Sequence, residues 1–465
     1  MKSFVSGLPT ATKFDPVDSS EGSLDPLGVS QIAGEIASGI GSDGVRERQS
    51  NLRFLTICCV GWELIAGFPN ELKETVGGDL DATLEQCVEW IIVEALTKLS
   101  IDNKEFDIQG LPGSTKARSA IERDLHLNAD RYLRTPSVFG FFGVYRTLAE
   151  YLDIVSHNSQ SGPILCENGG RILEAWREAC GLPGFGHDRK GVGQNEYKKF
   201  VETLQETWKN GQGTGKKETF KFIQRYLRHD AVCGKAEAKE LKRVITDHGQ
   251  IDADINRREI LSALSKSDAK RLLQSDEKNP EFHFHKMILP TASSGLTPLI
   301  KAAQAYEAFI TAIQGIFDDL LYELSANPGL VMISNIAKNF SDLDSRVAKV
   351  PSLFQLARSA LSKLDQASLH QIEEQFTDRF QEFSEKYDGV DFLGRLIAHH
   401  EKFQRSKSLE GKAPWIEHHG EKIAVRLRYK RTERAITSGQ YLRPYRMMPL
   451  WNFLESVKEI HAPKS

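Results

Sequence analysis

One stretch, LTPLIKAAQAYEAFITAIQGIFDDLLYELSA, limits the possible folds more than any other part of the chain. Leu299, Ala303, Tyr306, Phe309, Ile310, Ile313, Ile316, Phe317, Leu320 and Leu321 recur at three- and four-residue intervals. That spacing lines one broad face of a helix over 297–325. An apolar stripe of this length must be covered by other helices, so it predicts the spine of a helical bundle. Gly315 costs little beside that much burial.

Helical periodicity continues through most of the chain. After Asp25-Pro26, a good helix start, Leu27, Ile32, Ile36 and Ile40 keep helical spacing until Gly41 and Gly44 interrupt it. Further helices are expected at 46–65, 81–99, 115–126, 136–153, 169–180, 195–209, 217–228, 234–246, 256–275, 330–340, 350–364, 366–387 and 389–404. Strand signals are confined to 162–167 and to a hairpin near 414–430. The fold class is therefore mainly α and multi-helical, with a small C-terminal β-hairpin.

The expected organisation is an irregular arm at 1–24, a helical domain at 25–185 and a polar, glycine-bearing linker at 186–218. A central helical bundle at 219–404 and a basic hairpin with a C-terminal helix at 405–465 follow. A chain of 465 residues with 40% hydrophobic and 26% charged residues has material for a sizeable core. With 60 basic and 63 acidic residues the net charge is −3, which excludes a uniformly basic nucleic-acid coat. The apolar run FLTICCVGWELIAGF is too short to span a membrane and carries Glu63, so it reads as a buried helix. The six cysteines form no CxxC pair, and the N-terminus has no apolar secretory segment. The expectation is a reduced, cytoplasmic protein without membrane contact.

Catalytic signatures fail. In GQGTGKKET the phosphate-loop motif needs glycine where Asn210 stands and Ser or Thr where Lys217 stands, and a helix rather than a strand precedes it. His283 and His285 of EFHFH would share one face of a strand, but no third ligand follows by spacing. The pairs His399-His400 and His418-His419 diverge. No catalytic residue, cofactor or metal site is assigned.

Two features point to nucleic acid. Between 115 and 180 the order of helix PSVFGFFGVYRTLAEYLDIV, polar SHNSQSG, extended PILCEN and helix RILEAWREAC resembles the second half of a winged helix. Tyr145 and Arg146 would then face the DNA groove. Residues 395–446 hold 13 Lys/Arg against five Glu and no Asp, a local excess of +8. In KIAVRLRYKRTER, strand alternation would put Lys422, Arg426, Arg428 and Lys430 on one face and bury Val425 and Leu427 on the other. Arg431, Arg443 and Arg446 extend the basic set, and Tyr429, Tyr441, Tyr445 and Trp451 interleave with it. Clustered cations bind phosphates, and nearby rings stack on bases.

The N-terminal LDPLGVSQIAGEIASGIGSDGVRERQSNLRFLTICCVGWELI and the C-terminal YLRPYRMMPLWNFLESV resemble segments of prokaryotic defence-associated proteins with an N-terminal DPLG motif. Here the motif is Asp25 to Gly28, followed by Gly39 to Gly44 and the helix from Arg53-Phe54 to Trp62. Leu55-Thr56 depart from the pattern, where paired aromatics are usual. The resemblance implies a mostly helical subunit of an antiviral defence complex, beside a helicase or nuclease, and brings no catalytic residues. The combined expectation is a non-catalytic subunit that binds nucleic acid, with duplex DNA the favoured form. The alternatives are an adaptor docking a helicase or nuclease without nucleic-acid contact, and an enzyme with an unrecognised site.

Overall fold

The computed structural model describes residues 25–69, 83–158, 162–247, 252–273, 280–327, 329–365, 369–407, 412–434 and 441–463. The expected arm at 1–24 lies outside them. The protein is mainly helical, and among the described residues no helix is long and apolar enough to cross a membrane. It divides into two compact units, Met1–Ile40 with Leu272–Tyr445, and Gly41–Arg271 with Arg446–Ser465. Each unit is closed by segments distant in sequence.

The first unit is built on helix Leu296–Ala326, whose predicted stripe is buried along its length. Helix Val350–Leu361 packs along it, with Ser30–Ala37 and Gly389–Ser406 also against it. Phe309 meets Phe354, Phe376 and Phe380 at ring-centroid distances of 5.3–5.8 Å. Such offset and edge-to-face pairs add to the burial of the rings themselves.

The DPLG segment is tied into this unit at nearly every backbone group. The Asp25 carboxylate accepts from the N–H groups of Gly28, Val29 and Ser30 at 2.8–3.0 Å, closing the start of helix Ser30–Ala37. Burial alone would raise the Asp25 carboxyl, but these bonds and the Arg443 charge outweigh it and hold the group below its ordinary value. The carbonyls of Pro26, Leu27, Gly28 and Val29 accept from His400, His399, Arg379 and Tyr306 respectively. A buried turn without regular pairing needs such side-chain partners.

A three-stranded antiparallel sheet in the order β3–β5–β4 completes the unit: β3 Val331–Met332, β4 Ile416–His419 and β5 Lys422–Val425. Ile416 pairs with Val425 and His419 with Lys422 around a two-residue turn. Gly420 opens that turn at φ +65°, a conformation glycine adopts without strain. The hairpin is therefore present but shorter than expected. Pairing ends as Arg426 N donates to Trp415 O, and Leu427–Tyr429 turn as a 3-10 helix. Val425 is buried as expected, whereas Leu427 is 71% exposed.

The second unit surrounds helix Arg53–Ala66, the apolar run read as a buried helix. It packs on Leu84–Asp102, Phe141–Tyr151 and Glu167–Cys180. Thr83 and Gln86 form a reciprocal capping box that sets the start of Leu84–Asp102. The expected helix 136–153 breaks at Gly140, where Phe141 N donates to the buried Glu89 carboxylate. A Cβ at 140 would collide with that carboxylate, so the break needs glycine. Strands β1 Val155–Asn158 and β2 Gly162–Leu165 pair antiparallel between helices Phe141–Tyr151 and Glu167–Cys180. The helix, hairpin, helix order is present.

Three other expectations change. The described part of the expected helix 256–275 lies in two helices, Asp252–Leu264 and Ser267–Leu273. EFHFH lies in helix Pro280–Ile288, so His283 and His285 do not share a strand face. The stretch 186–218 is not an open linker throughout: the expected helix 195–209 is present as Gln194–Asn210, and its Tyr197, Phe200 and Leu204 are core residues.

Candidate nucleic-acid interface

Residues 422–434, KIAVRLRYKRTER, carry six cations and one carboxylate. The sheet anchors their start, because Ile423 and Val425 are buried while Lys422 is exposed. The next anchor is aromatic. Tyr429 stacks on Trp415 with centroids 4.5 Å apart and planes 7° from parallel. Trp415 is itself buried against His400 and Phe317. The last anchor is the bond from Arg431 N to Ser325 Oγ at 2.8 Å, near the end of helix Leu296–Ala326.

Between and just beyond these anchors the chain presents exposed Arg428, Lys430, Arg431 and Arg434. Lys430 to Arg434 and Asp318 line a groove of about 350 Å³. The cations are not equivalent. Arg426 is 12% exposed and pairs with Glu417 at 3.2 Å. Arg431 reaches Asp318 at 3.5 Å, and Arg434 pairs with Glu323 and lies over the Tyr322 ring. Burial raises the Asp318 carboxyl, and the Arg431 charge opposes that shift. Lys422, Arg428 and Lys430 have no carboxylate partner among the described residues. The Arg428 guanidinium lies 5.7 Å from the Tyr429 ring centroid. Within 422–434 these three are the exposed cations without a counter-charge among the described residues.

Other expected contact residues are engaged inside the protein. Tyr145 is a core residue, and its hydroxyl accepts from Asn51 N at 3.0 Å. Arg146 pairs with Glu85, which also accepts from Trp62 Nε1 at 2.9 Å and faces His157. The open positions of that helix are Thr147 and Glu150, so the face expected to meet DNA is not basic. Arg443 bonds Gln314 at 3.2 Å and approaches Asp25 at 3.7 Å. Arg446 takes the left-handed region at φ +64° and donates to Ser42 O at 3.3 Å.

The histidine pairs also serve the interior. His400 Nδ1 is 2.9 Å from Pro26 O, and its Nε2 accepts from Trp415 N at 2.9 Å. That arrangement requires the neutral ring with the proton on Nδ1. Burial correspondingly holds His400 down to about 4. His285 meets Tyr441 Oη at 3.0 Å and is pushed down to about 3 by burial. Among the described residues no three His, Cys, Asp or Glu side chains group to hold a metal.

The roles of Asp25, His400 and Trp415 are not apparent from the sequence. The only signal is the DPLG motif, which reads there as a family mark rather than a structural lock. No family model, no curated protein and no solved structure matches this chain.

Proposed function

We propose that this protein is a non-catalytic nucleic-acid-binding protein that holds the backbone of duplex DNA through residues 422–434. The observation that carries the reading is the set Lys422, Arg428 and Lys430. These are exposed cations without counter-charges among the described residues, on a segment fixed by the Trp415–Tyr429 stack. Cations held in place can replace condensed counterions along a phosphate backbone without reading sequence. The DPLG resemblance supports placing this activity in an antiviral defence complex, beside a helicase or nuclease.

Anisotropy with labelled random duplex DNA at low salt tests the reading. Saturable binding of similar strength for unrelated sequences is expected. Absence of binding at low salt contradicts it.

One observation favours the adaptor alternative. Leu427 stands 71% exposed among the cations, as an apolar anchor on a protein-docking face would. Under that reading Leu427→Ser abolishes capture of an acidic protein partner. Under the nucleic-acid reading the same variant leaves the salt dependence of DNA binding unchanged.

A further inference from the structure

Two of the six cysteines are neighbours in the second unit. Cys180 is the last residue of helix Glu167–Cys180 and is partly exposed, and Cys233 lies in the loop after helix Lys217–Tyr226. Gly234 sits against Ala179, where a Cβ would come within 3.2 Å of the Ala179 Cβ, so the two short segments run side by side. That packing places the Cys180 and Cys233 thiols next to each other. Arg53 Nη2 lies 3.3 Å from the Cys233 sulfur and 2.7 Å from Tyr226 O, while Arg53 also pairs with the buried Glu237. Glu237 in turn accepts from Cys233 N at 2.7 Å.

This environment separates the two thiols. The adjoining Cys180 thiol and then the Arg53 charge outweigh burial and hold the Cys233 thiol below its ordinary range. Burial and the neighbouring Cys233 thiol push Cys180 up. Cys58, Cys59 and Cys87 are raised by burial alone or chiefly so, with no cation at hydrogen-bonding distance. A buried thiol whose ionisation a guanidinium favours, next to a second and partly exposed thiol, is the arrangement of a reactive cysteine with its resolving partner.

We propose that Cys233 and Cys180 are a peroxide-reactive pair that closes to an intramolecular disulfide. The Cys233 thiolate attacks one oxygen of hydrogen peroxide. An S–O bond forms, the O–O bond breaks, and the departing hydroxide takes up from solvent the proton that the Cys233 thiol released. Cys180 then attacks the resulting sulfenic sulfur. The S–S bond forms, the S–O bond breaks, and the leaving hydroxide takes the Cys180 proton. Two thiols and one peroxide yield one disulfide and two waters. The two electrons pass from sulfur to peroxide oxygen.

The link would lock the loop that carries Val232. Val232 N donates to Glu459 O at 3.1 Å, and His461 N donates to Val232 O at 2.8 Å. Oxidation would therefore fix the attachment of the C-terminal segment within the second unit.

Trypsin separates the two cysteines cleanly, Cys180 in residues 178–189 and Cys233 in residues 229–235. The full chain is treated with a small excess of hydrogen peroxide, blocked with an alkylating agent and digested without reductant. The expected result is one disulfide-linked species joining these peptides, abolished by dithiothreitol. In Cys180→Ser, dimedone should label residues 229–235. Both peptides emerging alkylated while free cysteine in the same tube is oxidised would overturn the proposal. Equal oxidation of all six thiols would overturn it too. The wild-type measurement stands alone if the variant does not fold.

Discussion

Tyr429 lies face to face on Trp415, 4.5 Å between centroids, and this stack holds the basic segment at the point where strand β5 has already ended. The backbone on either side of Tyr429 carries Arg428 and Lys430. The stack therefore sets where two of the three outward cations stand.

Tyr429→Ala should destabilise the first unit by about 1 kcal/mol, the usual worth of a stacked aromatic pair beyond its burial. It should also weaken duplex DNA binding while changing the salt slope little, because no cation is removed. Tyr429→Phe should restore both. Urea unfolding and anisotropy on the same preparations check this, and a Phe variant as weak as Ala would contradict the stacking role.

Arg146→Ala should leave DNA affinity unchanged. Its guanidinium is already paired with Glu85, and both groups are partly solvated, so the stability loss should be about 1 kcal/mol or less. Loss of DNA binding in a folded Arg146→Ala protein would return the second unit to the interface.

Acid should loosen the lock around Pro26. His400 is neutral when folded, with its affinity for a proton depressed to about 4, whereas the unfolded chain binds that proton near 6.5. The unfolded state thus gains protons first as pH falls. The His400 contribution is fully present above about 6.5 and declines between there and about 4. The loss from pH 7 to 4.5 is about 2–3 kcal/mol. His285 acts in the same direction, and Asp25, depressed below its ordinary value, adds its own loss at still lower pH. Urea midpoints of wild type and His400→Gln at pH 7 and 4.5 test this. The variant should show a smaller difference between the two pH values, and equal differences would contradict it.

The helical architecture is legible in the sequence because burial imposes a period. The Leu296–Ala326 stripe, the buried Arg53–Ala66 helix and the turn of the C-terminal hairpin follow from local patterns. Elsewhere the local pattern is ambiguous. EFHFH alternates like a strand, yet it lies within a helix whose His285 is packed against Tyr441. The basic row fails for a different reason. Alternation assumes the strand continues, but the chain turns after Val425, and distant carboxylates decide which cations remain available. Arg431 is matched by Asp318 and Arg434 by Glu323, pairings over more than a hundred residues that no spacing rule exposes. The same holds for His399 and His400, whose acceptors lie more than 370 residues earlier.

The most direct measurement is a salt titration of random duplex DNA binding by wild type and by Lys422→Ala/Arg428→Ala/Lys430→Ala. Removing one cation from a phosphate lowers the slope of log affinity against log salt by about 0.9. The triple variant should therefore show a slope shallower by about 2–3 and weaker binding to every sequence alike. Arg426→Ala, which removes a partner of Glu417, should change stability more than slope. Identical slopes for wild type and a folded triple variant would contradict the assignment of residues 422–434 as the nucleic-acid interface.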